Sequence, residues 1–135
     1  MFGSPQNHAT AYAKVGVETG VTAADPHQLV LMLFDAAILA VSRAGTAMEK
    51  KQIATKGESV SKAIEIITNG LKASLDQDAG GELAARLAAL YDYMSERLLY
   101  ANLHNNRAAL EEVSTLLHGL REAWARISPV NDQSA

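Results

Sequence analysis

The side chains best suited to recognition chemistry lie in the stretch LAALYDYMSERLLYANL, residues 87–103. An apolar stripe with helical spacing runs through this stretch, formed by Leu87, Leu90, Met94, Leu98 and Ala101. Tyr93 and Tyr100 stand seven residues apart, so they share a helix side roughly 90° from that stripe. Tyrosine offers a partner a large rigid face and a hydroxyl that tolerates water. We expect both rings to contact a partner, with Glu96 and Arg97 at the rim, or to brace another helix or the N-terminal segment.

The residue pattern does not favour catalytic or metal chemistry. The four histidines are His8, His27, His104 and His118, and none stands three or four residues from another. A di-iron bundle uses Glu-x-x-His pairs, which are absent from this sequence. It also contains no nucleophile elbow, phosphate-binding loop or dinucleotide fingerprint. Gly80-Gly81 is more typical of a turn than of an anion site. We therefore expect no enzyme, no cofactor and no metal.

Composition narrows the choice of partner and compartment. A net charge of −3 and scattered Lys and Arg residues argue against nucleic acid. The most apolar run, LVLMLFDAAILAV, spans thirteen residues and is interrupted by Asp35, whereas a membrane span needs about 20. The N-terminal sequence MFGSPQNHATAYAKVG does not resemble a secretory signal. We expect a soluble cytoplasmic protein without stable membrane insertion.

The apolar repeats predict four helices, and nothing alternates with the period of a strand. Asp25 and Pro26 mark a helix start, and Ser128-Pro129 marks a helix end. The predicted helices cover about 25–50, 56–75, 82–103 and 107–127, with a DQDAGG turn at 76–81. Short connections favour an all-α antiparallel four-helix bundle with a short N-terminal helical segment at 9–17. The bundle forms one domain over 9–127, with a disordered N-terminus at 1–8 and a flexible tail at 128–135.

The first helix is apolar on both sides, which exceeds what a bundle core needs. The expected core stripe consists of Leu29, Met32, Leu33, Ala36, Ala40 and Ala47. Either this is the central helix of the bundle, or its second side binds a partner. Candidate partner-binding residues come from that second side, from the third helix and from the N-terminal segment. They are Tyr12, Val15, Val17, Leu31, Phe34, Ile38, Val41, Tyr93, Tyr100 and Leu103.

Three stretches resemble the FliS-type flagellar secretion chaperones, the export chaperones of flagellin. They read AYAKVGVETG…DPHQLVLMLFDAAI, GGELAARLAALYDYMSERLLYANLHN and LLHGLREAWARI, and together they span roughly residues 10–127. The resemblance implies a four-helix bundle that binds the C-terminal region of flagellin in the cytoplasm. It also implies that the chaperone prevents premature polymerisation and aids delivery to the flagellar type III export apparatus. In such proteins the N-terminal segment can cover part of the binding surface and move when flagellin arrives.

Two other functions fit the same residues. A helical regulatory adaptor would bind another flagellar protein, such as an anti-sigma factor or a co-chaperone. An export gate component is a further partner expected of a flagellin chaperone. A structural homodimer would instead bury the surplus apolar faces against a second copy. An interaction screen separates the first alternative from the flagellin hypothesis, and sedimentation over a concentration range separates the second.

Overall fold

The computed structural model describes residues 25–127, which form four helices and contain no strand. Helix α1 is Pro26–Glu49, and α2 is Ile53–Glu65, continued by a π-helical turn, Ile66–Leu71, and a 3-10 turn, Lys72–Ser74. Helix α3 is Gln77–His104, and α4 is Arg107–Arg126. The predicted all-α class is confirmed. The predicted N-terminal helical segment and C-terminal tail lie outside the described residues.

Side-chain contacts at the helix ends show that neighbouring helices run antiparallel. At one end His27 of α1 stacks on Trp124 of α4. At the other end Arg107 pairs with Glu49, which joins the start of α4 to the end of α1. There the start of α2 also meets the end of α3, through Lys56. Consecutive helices therefore run up and down, and α1 and α3 occupy opposite corners of a square.

Side-chain caps fix where three of the helices begin. Asp25 accepts a hydrogen bond from the backbone N–H of Gln28 at 2.8 Å, as expected for an N-cap. Asn106 caps α4 in the same way, and Asp76 caps the first turn of α3. The sequence predicted a turn at 76–81, but Asp76 starts a helical turn there instead. Gly81 then interrupts α3 with a φ of +57°, a conformation that glycine adopts without strain.

The core depends on a close approach of α1 and α2. Ala37 and Ala44 on α1 and Ala63 on α2 are fully buried. An ideal Cβ at Gly70 would lie 3.0 Å from Leu33 Cδ2, so glycine permits this approach. The π-helical turn places an extra residue in one turn of α2, and Ile66, Ile67, Gly70 and Leu71 are all buried there.

The predicted orientation of α1 was wrong in part. Phe34 and Val41, expected on a partner-facing side, are 3% and 2% exposed and belong to the core. Met32, expected in the core, is 38% exposed, and Ala36 is also exposed. A helix that is apolar nearly all round does not itself determine which side faces inward. Its neighbours decide, and the ion pair of Asp35 with Arg121 places that side of α1 against α4.

We predict that Gly70→Ala lowers the free energy of unfolding by about 1–3 kcal/mol, because the added methyl group would press on Leu33. Gly119→Ala is the matched control, since a Cβ at that exposed position of α4 would meet no neighbour within 4 Å. The control should stabilise the protein by roughly 0.5–1 kcal/mol through helix propensity. Urea unfolding measures both changes. A stabilised Gly70→Ala variant would contradict the close-approach account.

Candidate partner-binding surfaces

The last two turns of α3 expose three large apolar side chains, which we call the α3 patch: Leu99, Tyr100 and Leu103. They are 52%, 41% and 77% exposed. Spacings of three and four residues make Leu103 a helical neighbour of both others, so the three form one surface. The prediction that Tyr100 and Leu103 lie outside the core is confirmed. Leu99 was missed, although it stands four residues before Leu103 in the same helix.

Tyr93 lies on the same outer side of α3 but is also tied to α4. It is 41% exposed, and its hydroxyl donates a hydrogen bond to Glu112 Oε2 at 2.5 Å. Arg97 Nε donates to the other oxygen, Oε1, at 2.8 Å. Hydrogen bonds from Tyr93 and then Arg97 hold the pKa of Glu112 below its ordinary value. Tyr93 therefore braces α3 against α4, which is one of the roles that the sequence left open, and its side chain remains partly accessible to solvent.

Arg97 connects this cluster to the α3 patch. Its guanidinium carbon lies 5.0 Å from the centre of the Tyr100 ring, within cation–π range. The centre of the His104 ring lies 4.4 Å from the centre of the Tyr100 ring. Both contacts restrict the Tyr100 side chain before a partner arrives, which lowers the entropy lost on binding. Glu112 was not singled out from the sequence, because a glutamate in an acidic pair is usually a solvated side chain.

A second accessible surface, the α1–α2 groove, runs between the outer sides of those two helices. Leu39 is 50% exposed and lies beside Ala36 and Ile66 in its apolar floor. Arg43 and Lys62 are among its charged rim residues. Helix α1 therefore does have apolar surface outside the core, but on a different side of the helix from the one predicted.

An apolar cavity of about 280 Å³ opens at the end of the bundle where α1 begins and α4 ends. Its walls include Val30, Leu71, Leu75, Leu87, Leu120 and Trp124. The Trp124 indole N–H donates to the carbonyl of His27 at 3.0 Å, and the two rings stack with centres 5.2 Å apart. Leu83 at its edge is 66% exposed. Residues from all four helices meet here, a feature that no single stretch of sequence reveals.

The remaining predicted residues divide between half-buried and core positions. Leu31 and Ile38 are half-buried, and Ile38 packs against the core. Phe34 is a core residue that also lines the apolar cavity, whereas Val41 is enclosed in the core. The three N-terminal candidates, Tyr12, Val15 and Val17, lie outside the described residues.

Helix α1 is long and apolar enough by composition to cross a membrane, the one such helix within residues 25–127. Its inner side, including Leu33 and Ala37, is buried against the other helices. The same described region contains no group of three His, Cys, Asp or Glu residues that could hold a metal ion.

Comparisons with known proteins give a single family. The family described as "Flagellar protein FliS" matches residues 8–131 of the chain. "Flagellar secretion chaperone FliS" of Salmonella typhimurium is 56% identical over 119 residues, which cover 88% of each chain. The Escherichia coli protein of the same description is 49% identical over 114 residues, 84% of each chain. "Flagellar secretion chaperone FliSB" of Pseudomonas aeruginosa is 43% identical over 117 residues, 87% of this chain and 92% of its own.

We predict that Glu112→Gln reduces the acid sensitivity of the fold. Because the folded-state pKa of Glu112 is lowered, its carboxylate stabilises the protein above the ordinary glutamate pKa. That stabilisation is lost as pH falls through the lowered value. Urea unfolding at pH 7 and about pH 3 should show a smaller loss for Glu112→Gln than for the unmodified protein. Glu96→Gln, on the exposed side of α3, is the control, and equal losses in all three proteins would contradict the cluster's role.

Proposed function

The chain belongs to the FliS family of flagellar secretion chaperones, and from that membership we propose that it binds the C-terminal region of flagellin in the cytoplasm. A secretion chaperone is not an enzyme, and the proposed activity is binding alone. By holding that region, the protein prevents premature polymerisation of flagellin. It also aids delivery of flagellin to the flagellar type III export apparatus.

The α3 patch is the observation that best supports client binding. Leu103 exposes 77% of its surface at a position where the helix faces solvent, and Leu99 exposes 52% beside it. Contiguous apolar surface of this kind on a soluble domain usually marks a protein interaction site. Tyr100, pinned by Arg97 and His104, adds a large rigid face at small entropic cost. An apolar stripe of a client helix would remove all three from water.

The α1–α2 groove and the apolar cavity extend the proposed binding surface around the bundle. A client that is disordered before binding loses conformational entropy, which is offset by burying on the order of 1,000–3,000 Å². The α3 patch alone is too small for that. Together, the α1–α2 groove, the apolar cavity and the α3 patch offer apolar surface on several sides of the bundle. Leu39 contributes to the groove and Trp124 to the cavity. We therefore propose that the flagellin segment wraps around the bundle rather than docking at one point.

The N-terminal segment is proposed to cover part of this surface when flagellin is absent. The resemblance described above implies such a cover, and in the sequence the segment precedes α1, whose second turn contributes Val30 to the apolar cavity. Tyr12, Val15 and Val17 supply apolar side chains for the purpose. The client would then compete with the cover, so the cover lowers the apparent affinity.

We predict that Leu103→Asp weakens binding of the flagellin C-terminal segment by at least about tenfold, because a charge would be buried in an apolar contact. Isothermal titration should give one-to-one binding and a negative heat-capacity change for the unmodified protein. Ala85→Asp is the matched control, since Ala85 is exposed on the same helix roughly 27 Å away. It should bind like the unmodified protein, and both variants should keep their far-UV helicity.

If Leu103→Asp and Ala85→Asp bound the flagellin segment with equal affinity, the α3 patch would not be part of the binding surface. Absence of heat and of co-elution with the unmodified protein would contradict the flagellin proposal itself. Sedimentation over a range of concentrations would then test whether the exposed leucines join two copies of the chain.

A second prediction concerns the cover and uses Trp124, the single tryptophan of the chain, as the reporter. Tyr12→Asp should shift the Trp124 emission to longer wavelength in the absence of client, because water enters the apolar cavity. It should also tighten flagellin binding, by up to about tenfold, through removal of the competing contact. Asn7→Asp adds the same charge outside the segment and should change neither quantity. Unchanged emission and affinity in Tyr12→Asp would contradict the cover.

A further inference from the structure

A second cavity lies at the end of the bundle opposite the apolar cavity, between the α1–α2 connection and the end of α3. It measures about 380 Å³, and its lining includes Lys51, Gln52, Lys56 and Asn105 together with apolar side chains. We call it the lysine pocket. The flagellin proposal makes no use of it, because its lining is cationic whereas the proposed client contacts are apolar.

Lys56 is the unusual residue of this pocket. Its side chain is buried, with the residue 8% exposed, and it is the buried charged residue within 25–127. The Nζ atom donates to the backbone carbonyl of Asn102 at 2.9 Å and to Asn105 Oδ1 at 2.6 Å. Both acceptors are neutral, and no described carboxylate lies within ion-pair distance. Since an ammonium group has three N–H donors, one donor remains free, and no carboxylate among these residues neutralises the positive charge.

The other side chains of the pocket add positive charge rather than cancel it. Lys51 lines the same pocket and is held at a φ of +59° in the tight connection between α1 and α2. The nearby carboxylate of Glu49 is engaged by Arg107, and Glu111 lies 4.0 Å from the same guanidinium. The pocket lining therefore contains two lysines and no acidic side chain.

We propose that the lysine pocket binds a carboxylate on an acidic side chain of a protein segment. One carboxylate oxygen accepts the remaining N–H of Lys56, and Lys51 neutralises the group from the mouth. Ile53, which is 77% exposed, and Met48 form the apolar wall beside it. That wall suits the aliphatic stem and neighbouring side chain of a peptide better than it suits a free, fully hydrated anion. The recognised sequence is thus an acidic residue next to an apolar one.

The test uses full-length protein and two capped tetrapeptides, one of leucine-aspartate-glutamate-leucine and one with asparagine and glutamine in place of the acids. Amide chemical shifts of Lys51, Gln52 and Asn105 should move with the acidic peptide and stay fixed with its neutral match. Lys51→Gln should weaken binding about three- to fivefold, as expected for losing an ion pair at an exposed lysine. Lys50→Gln, one residue away and outside the pocket lining, should weaken it less than twofold.

Lys56→Gln tests the buried N–H donor directly. If that variant fails to fold, the comparison of Lys51→Gln with Lys50→Gln tests the pocket instead. Equal effects of Lys50→Gln and Lys51→Gln would overturn the pocket in favour of diffuse attraction. Equal chemical-shift changes with the neutral peptide would contradict the claim that the pocket recognises a carboxylate. If sodium acetate produced the same chemical-shift changes at the same affinity as the acidic peptide, the carboxylate would not need to belong to a protein segment. The pocket would then be assigned to free anions.

Discussion

In a bundle of four helices at the corners of a square, each helix buries only the side chains that point to the centre or to its two neighbours. This constraint determines which apolar side chains remain on the surface. The close packing of α1 on α2 through Ala37, Ala44, Ala63 and Gly70 sets the inward side of α1. Once that side is fixed, Met32 and Leu39 must face outward, because α1 touches two neighbours and occupies a corner. The surplus apolar surface is therefore a geometric consequence of the bundle and not a local defect in it.

The same geometry gives the two ends of the bundle different chemistry. At one end Trp124 and apolar side chains from all four helices leave an apolar cavity. At the other end Lys56 donates to the backbone carbonyl of Asn102 near the end of α3, where a positive charge is favoured by the helix dipole. Between them, Glu112 fastens α3 to α4 through Tyr93 and Arg97. The α3 patch thus lies on a helix that is held at its middle and at its end, so its side chains form a preorganised surface.

Much of the fold could be predicted from the sequence, because its signals are local. Asp25 and Pro26 mark the start of α1, and the apolar stripes of the other helices appear at the spacing of three and four residues. The side that α1 turns inward could not be predicted, since Phe34 and Met32 are equally apolar and the neighbours make the choice. Contacts between distant residues, such as Tyr93 with Glu112, were also beyond sequence reasoning.

The candidate site was predictable only in part, for the same reason. Tyr93, Tyr100 and Leu103 stood out because they depart from the stripe of their own helix, which is a local feature. The apolar cavity and the lysine pocket each combine residues from at least three elements, and no single stretch of sequence signals them. Phe34 and Val41 were misassigned because an apolar helix offers no polar boundary from which to read its exposed side.

Methyl and amide resonances of the full-length protein, followed as unlabelled flagellin C-terminal segment is added, test the central claim most directly. That claim is that surface left apolar by the bundle geometry holds the client. The account predicts large changes and loss of solvent accessibility at Leu99, Tyr100 and Leu103, together with changes at Leu39 and Trp124. Binding that leaves the α3 patch fully accessible to solvent would contradict it.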